Sequence, residues 1–263
     1  YPDQTSDGAI RAAVAFGQAR QAVIHAAVID IVVPPIVNPW ATLLIDTDKM
    51  VAEAEATSRR HGQNALGVLT RLAAEAGVML ETETVAADLQ SVGEAIAGLG
   101  RHYDVVLMES APHFRQLGED LVFGCGRPVI LFPAEVFAAR LDHVAVAWDG
   151  SRAAARALGD VLHLLPDGAE ISIISVTDEK PVEDEVGRRV FDSLNARGLK
   201  AQAYPIGLHG RTIGEALQEK AEALHADLLV MGAYGHSRLR EFVLGGATQD
   251  VLGAMRVPVL MSH

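Results

Sequence analysis

Residues 226–256, which read ADLLVMGAYGHSRLREFVLGGATQDVLGAMR, contain the strand-loop-helix pattern that best indicates the fold class of this chain. The run from Asp227 to Met231 is short and apolar, as is typical of a parallel strand covered on both faces. An amphipathic helix is predicted from Ala247 to Met255. Two pairs of glycines separate the strand from the helix: Gly232 with Gly235, and Gly245 with Gly246.

The glycines between strand and helix predict an anion-binding loop. Glycine adopts positive φ without strain and lets an anion approach main-chain N–H groups. The start of the following helix adds unpaired N–H donors and roughly half a positive charge. The sequence contains neither a Walker A loop nor the dinucleotide fingerprint G-x-G-x-x-G, so the loop belongs to another class of phosphate site.

The chain repeats itself. Matching segments are GEAI at 93–96 with GEAL at 214–217, YDVVLM at 103–108 with ADLLVM at 226–231, and RPVIL at 127–131 with VPVLM at 257–261. We therefore predict two homologous units, residues 1–136 and residues 141–263.

Strands and helices alternate strictly in both units, which predicts right-handed crossovers and helices on both faces of a parallel sheet. The expected fold class is α/β, with two doubly wound, Rossmann-like units of five strands. The first unit lacks its opening strand, because Tyr1 leads almost directly into a predicted helix from Asp7 to Ala19. We expect either that upstream residues are missing from this sequence or that a flexible piece between Tyr1 and Ser6 has been dropped.

The last strand of each unit is apolar and follows a proline. Such edge-type strands must be covered or paired to avoid association. We expect Val129 to Phe132 and Pro258 to Ser262 to meet at a shared interface, which makes the chain an internal pseudo-dimer. Whether two chains also form a homodimer stays open.

The first unit has no glycine loop. Glu109 stands where the second unit has Gly232, and Pro112 stands where it has Gly235. A carboxylate repels phosphate and proline has no N–H to donate, so we expect the first unit to be a degenerate partner.

The spacing G-x-x-G, nine residues, then glycine with a small residue resembles the nucleotide loop of the universal stress protein family, here in a tandem form that covers nearly the whole chain. The resemblance implies a cytoplasmic stress-response protein that binds ATP or another adenine nucleotide, with or without Mg²⁺. Two positions depart from the family pattern. Gly246 stands where ATP-binding members have Ser or Thr, and Ala147-Trp148 replaces a pair that begins with proline.

The resemblance also implies the ligand-binding residues, at the carboxyl ends of strands near the switch point of the sheet. Those from the strand ends are Ala147, Asp149, Val176, Met231 and Gly232. Those from the loop and helix are Gly235, His236, Gly245, Gly246, Ala247 and Thr248. The alternative for Asp149 and for Ser151 is that they only cap the following helix, and Val176 needs no role beyond that of a buried strand residue.

Composition narrows the range of partners. The net charge of −12 and the pI near 5.2 argue against nucleic acid and anionic membranes. The single cysteine, Cys125, excludes an internal disulfide framework, fits a reducing cytoplasm and is expected to be a small buried apolar residue. The sequence contains no Cys/His cluster for zinc and no G-x-S-x-G elbow of a hydrolase.

The function we expect is binding of one adenine nucleotide by the second unit as a regulatory ligand. No catalytic residue is assigned, and any ATP hydrolysis should be slow because Glu241 is the only acidic residue between the glycine pairs. The alternative is a nucleotide-free module of the same fold that acts through an unknown protein partner. A weak phosphohydrolase is the third possibility.

Overall fold

The computed structural model of the chain describes residues 4–34, 47–133, 137–178, 184–233 and 246–263. Its elements alternate between strand and helix as the sequence predicts. Those of the first unit are α1 (Asp7–Arg20), β1 (Ile24–Ile31), α2 (Thr47–Ala76), β2 (Leu80–Ala87), α3 (Val92–Gly100), β3 (Val106–Glu109), a 3-10 turn (Pro112–Phe114), α4 (Arg115–Gly124) and β4 (Val129–Phe132). Those of the second unit are β5 (His143–Ala147), α5 (Arg152–Leu162), β6 (Glu170–Val176), α6 (Asp184–Ala196), β7 (Lys200–Ile206), α7 (Ile213–Ala223), β8 (Leu228–Gly232), α8 (Gly246–Gly253) and β9 (Val259–Ser262).

Seven of the strands form one sheet in the order β3-β4-β9-β8-β5-β6-β7. The five strands of the second unit are consecutive in this order and all parallel. This arrangement confirms the predicted doubly wound α/β architecture. Their apolar residues are buried because helices cover both faces of the sheet.

The two units meet where β4 runs antiparallel to β9. Val129 lies opposite Met261, Ile130 opposite Leu260, and Leu131 opposite Val259. All six residues are buried, so neither strand leaves an open edge at this position. The predicted contact between the two last strands is therefore present, whereas the unit boundaries themselves stay a prediction from the repeat.

The first unit differs from the expected single sheet. β3 and β4 extend the large sheet, but β1 and β2 form a separate parallel pair. In the second unit β5 lies between β8 and β6 and pairs with both. Among the described residues no strand lies between β3 and β1, so no backbone hydrogen bonds link the two sheets.

The core has two parts, one on each face of the sheet. The part on the α3, α4, α7 and α8 side contains Cys125, which is 2% exposed. Burial raises the pKa of the Cys125 thiol, which keeps it protonated and unreactive. The expectation that Cys125 is a buried apolar residue is confirmed.

The repeated glycines Gly93 and Gly214 have a structural reason. Each lies in the first turn of a helix where the next helix of the unit crosses closely. A Cβ at Gly214 would lie 2.5 Å from Asp250 Cβ and 3.0 Å from the Ala247 carbonyl oxygen. A Cβ at Gly93 would meet the rotatable carboxylate of Asp120 and would also lie 2.8 Å from the Asp120 Cβ, but no backbone atom is among its nearest neighbours.

We predict that Gly214→Ala destabilises the protein by about 1 to 3 kcal/mol, because helix backbone must move to admit the methyl group. Gly93→Ala should cost less, because the Asp120 carboxylate can rotate away and the Cβ contact is less severe, at 2.8 Å against 2.5 Å. Alanine also favours the helix by roughly 1 kcal/mol over glycine. Urea unfolding of both variants measures the difference. An equal or larger loss for Gly93→Ala would contradict the assigned contacts.

Candidate functional site

The candidate site lies where the strand order of the second unit reverses. From β5 the chain proceeds through β6 to β7, and then returns as β8 on the other side of β5. The carboxyl ends of β8, β5 and β6 therefore lie side by side at one edge of the sheet. Ligands of doubly wound sheets bind in the crevice outside such a switch point.

The structure places four predicted site residues on the same face of this sheet. Met231 is 4% exposed and belongs to the core part that contains Cys125, while Ala147, Val176 and Ala247 are half-buried and pack against that part. Val146 of β5 lies opposite Val230 of β8, so Ala147 and Met231 are the next positions along two neighbouring strands. The face that holds these side chains is also the face covered by α7 and α8.

Asp149 and Ser151 form the turn between β5 and α5. The Asp149 carboxylate accepts a hydrogen bond from the Ser151 backbone N–H at 2.9 Å. The Ser151 hydroxyl accepts one from the Ala154 N–H at 3.0 Å, which caps α5. Ser151 therefore has the capping role that the sequence analysis gave as its alternative. Asp149 itself is exposed, two residues after the carboxyl end of β5.

Gly232, at the end of β8, lies against the first turn of α5. A Cβ at this position would come within 2.6 Å of the Ala154 backbone nitrogen and would meet the carbonyl carbon of Ala153. Both obstacles are backbone atoms, which cannot rotate away as a side chain does. The site therefore requires glycine here for close packing of strand and helix.

The first turn of α8 completes the described part of the site. α8 begins at Gly246, which is exposed, and a Cβ built there meets nothing within 4 Å. Thr248, two residues further along, is buried at 3% exposure, whereas Gly246 is the exposed first residue of the helix. The first N–H groups of a helix have no partners inside the helix and attract anions. Gly235, His236 and Gly245, predicted to belong to the phosphate loop, lie outside the described residues.

The equivalent place in the first unit holds a buried carboxylate. Glu109 is 9% exposed, and its Oε2 accepts a hydrogen bond from the Ser6 backbone N–H at 2.9 Å. Ser6 is the residue that caps α1, so the negative charge lies at the positive end of that helix. Pro112 begins the 3-10 turn that follows, a position where its missing N–H costs nothing. Both residues therefore differ from the glycines of the second unit, because Glu109 brings a negative charge and Pro112 has no N–H to offer an anion.

Two residues near the site, Trp148 and Gln218, have a packing or hydrogen-bonding role that the sequence does not predict. Trp148, next to Ala147, is 8% exposed and packs on the opposite face, and its indole N–H has no hydrogen-bond partner among the described residues. Gln218 of α7 is buried, and its side-chain oxygen accepts hydrogen bonds from the backbone N–H groups of Arg256 and Val257, both at 3.0 Å. Gln218 thereby fixes the segment that connects α8 to β9. An isolated Trp or Gln carries no pattern that marks such a role.

The described residues offer neither a metal site nor a membrane span. Within the described ranges, no three His, Cys, Asp or Glu side chains gather closely enough to hold a metal ion. No helix in the part of the chain that the structure describes has the length and apolar character needed to cross a membrane.

Comparison with known proteins identifies a family for the second half of the chain. Residues 140–263 match the model of the universal stress protein family. A universal stress protein of Synechocystis sp. is 39% identical over 67 residues, which are 26% of this chain and 22% of that protein. The chain thus spans about a fifth of the length of this curated relative.

Two solved structures resemble nearly the whole chain. The crystal structure of a universal stress protein from Archaeoglobus fulgidus aligns with a TM-score of 0.71 at 19% identity, covering 95% of this chain and 90% of that one. A putative universal stress protein from Pseudomonas aeruginosa aligns with a TM-score of 0.52 at 16% identity, covering 93% of this chain and 94% of that one. At these identities the likeness shows that both halves of the chain share the fold of those proteins.

Proposed function

We propose that the second unit, whose residues 140–263 match the universal stress protein family, binds one adenine nucleotide as a regulatory ligand in a cytoplasmic stress response. The observation that carries the proposal is the arrangement at the switch point of the sheet. There the ends of β5, β6 and β8 lie beside one another, with the first turn of α8 on the face that holds Ala147, Val176 and Met231.

The described residues fit the two ends of such a ligand. Ala147 and Val176 offer a half-buried apolar surface, which we assign to the adenine ring, and we assign Met231 and Gly232 to the ribose. The open first turn of α8, at Gly246 and Ala247, offers N–H groups to phosphate oxygens. From the sequence we assign Gly235, His236 and Gly245 to the same phosphate shell.

The net charge of −12 works against binding of an anion. The affinity must therefore come from local donors, namely the glycine loop and the helix start. We propose that Mg²⁺ is not obligatory, and we assign no catalytic residue. The ligand then acts as a signal that is bound and released, with hydrolysis at most slow.

The alternative function is a nucleotide-free module that binds another protein. Two features favour it: the missing hydroxyl at Gly246 and the Ala147-Trp148 departure at the adenine end. The Trp148 side chain is buried on the face of the sheet opposite Ala147, so the second feature weighs less than the first.

We predict that adenine nucleotide binds with a stoichiometry of one per chain, since the first unit has the buried Glu109 carboxylate where the second unit has Gly232, and Pro112 where it has Gly235. At about 100 times its dissociation constant the ligand should add about 2.7 kcal/mol of apparent stability. Isothermal titration calorimetry with ATP, ADP and AMP, together with thermal unfolding, measures both quantities. Two equivalent sites would contradict the asymmetry, and the absence of heat and of thermal shift at millimolar nucleotide would favour the interaction module.

A further inference from the structure

Gln218 is a buried amide on α7 that binds the backbone just beyond the end of α8. Its side chain is 1% exposed, and its Oε1 accepts hydrogen bonds from the N–H groups of Arg256 and Val257, both at 3.0 Å. These two residues come after the last residue of α8, Gly253, and are followed by Pro258, which has no N–H. One side-chain oxygen therefore satisfies the last two backbone donors before the proline.

The start of α8 contacts the same helix one turn earlier. Gly214 precedes Gln218 by four residues, so both lie on one face of α7. A Cβ at Gly214 would lie 3.0 Å from the Ala247 carbonyl oxygen and 3.1 Å from the Val251 nitrogen, so the two helix backbones approach closely there. A helix of eight residues is too short to be stable by itself. The orientation of α8 is therefore determined by its packing, to which α7 contributes at both ends.

The first unit has an apolar residue where the second unit has Gln218. In the repeat, GEAI at 93–96 matches GEAL at 214–217, so the residue that corresponds to Gln218 is Ala97, which is 2% exposed. A Cβ at Gly124 would lie 2.8 Å from the Ala97 Cβ, so the matching helices α3 and α4 pack through small residues. The fold can therefore be closed at this place without a buried amide.

The backbone that Gln218 binds also has a different partner in the first unit. Arg127 corresponds to Val257 in the repeat, and its N–H donates to the Cys125 sulfur at 3.4 Å. Gln218 carries a penalty that this arrangement avoids, because its Nε2 is buried without a hydrogen-bond partner among the described residues. The buried amide thus occurs in the unit whose helix start we assign to phosphate, which indicates a role besides stability.

We propose that Gln218 is a positioning residue for the phosphate end of the nucleotide site, an inference that rests on the proposed function. Gln218 holds the far end of α8, while Gly214 allows the near end to approach α7. Together they fix the direction of the first-turn N–H groups of α8. Such donors bind an anion only when they point at it within hydrogen-bonding distance. Without the Gln218 oxygen, the end of α8 is released and its start turns away from the phosphates.

Titration with ADP and with adenosine separates this positioning role from general stability. Gln218→Met replaces the amide with an apolar side chain of similar length, so both N–H groups lose their acceptor. Gln218→Glu keeps an accepting oxygen and removes the unpartnered NH2 group. Gln218→Asn withdraws the oxygen by one methylene and serves as the milder variant if Gln218→Met does not fold.

Ile173→Val is the control for lost stability. Ile173 is 1% exposed and belongs to the core part on the other face of the sheet from α7 and α8. Removing one of its methylene groups lowers the stability of the second unit without a change at α8. Urea unfolding of each variant measures how much stability is lost, and circular dichroism establishes that the fold is intact before affinities are compared.

Gln218→Met should weaken ADP binding by about tenfold or more and leave adenosine binding unchanged, with a smaller loss for Gln218→Asn. Gln218→Glu and Ile173→Val should bind ADP like the parent protein. The positioning role is overturned by parental ADP affinity in Gln218→Met, by equal losses for ADP and adenosine, by no recovery in Gln218→Glu, or by an equal ADP loss in Ile173→Val. The absence of ADP binding by the parent protein would instead refute the proposed function, and this role with it.

Discussion

Replacing Gly232 with alanine is expected to destabilise the protein by about 1 to 3 kcal/mol and to weaken nucleotide binding with it. The new methyl group would lie within 2.6 Å of the Ala154 backbone nitrogen, so α5 must shift away from β8. That shift also moves the turn that carries Asp149 and the Ser151 cap. Urea unfolding measures the loss of stability, and calorimetry with ADP measures the loss of affinity.

Gly159→Ala is the matched control for this variant. Gly159 lies in the exposed middle of the same helix, and a Cβ there meets nothing within 4 Å. Alanine at that position should stabilise the protein by roughly 0.5 to 1 kcal/mol through helix propensity and should leave nucleotide affinity unchanged. If Gly232→Ala proves as stable as the parent, the close contact between β8 and α5 is wrong.

Gly246→Ser is expected to tighten nucleotide binding. Serine restores the hydroxyl that the family pattern has at this position and keeps the backbone N–H. The structure leaves room for it, since a Cβ at Gly246 has no neighbour within 4 Å. A hydrogen bond to a charged phosphate contributes roughly 1.5 to 3 kcal/mol, which corresponds to an affinity gain of about tenfold to a hundredfold.

Gly246→Ala is the control that distinguishes the effect of the serine hydroxyl from the effect of adding a Cβ. Alanine adds the same Cβ and no donor, so its affinity should stay close to that of the parent protein. Titration of the three proteins with ATP, ADP and AMP decides the matter. Weaker binding by the serine variant, with the fold intact, would mean that the start of α8 does not hold phosphate, and the assigned site would fail.

Local patterns predicted most of the second unit. The short apolar run before Gly232 became β8, and the run HVAVA became β5, because each is a buried strand bounded by turn residues. The Ser151 and Thr212 caps mark helix starts that the sequence also shows. The contact of β4 with β9 was also predicted, because the last strand of each repeat is apolar and must be covered or paired.

Features that depend on distant pairs of residues could not be predicted in this way. The sequence next to Gly232 does not predict its contact with Ala153, because the two residues are brought together only when α5 packs against the sheet. Likewise, Glu109 was predicted to oppose phosphate, but not to bind the Ser6 N–H across more than a hundred residues. The separation of β1 from β3 also came from the structure, since each strand pattern is regular by itself.

Hydrogen exchange of the whole chain with and without saturating ADP is the most direct test of the proposed nucleotide site in the second unit. If the second unit binds the nucleotide at the switch point of its sheet, amides at 148–152 and 246–250 should exchange more slowly in the complex, while those at 109–115 in the first unit should not change. Unchanged exchange at 148–152 and 246–250 despite bound nucleotide, or equal protection in the first unit, would contradict the proposed site.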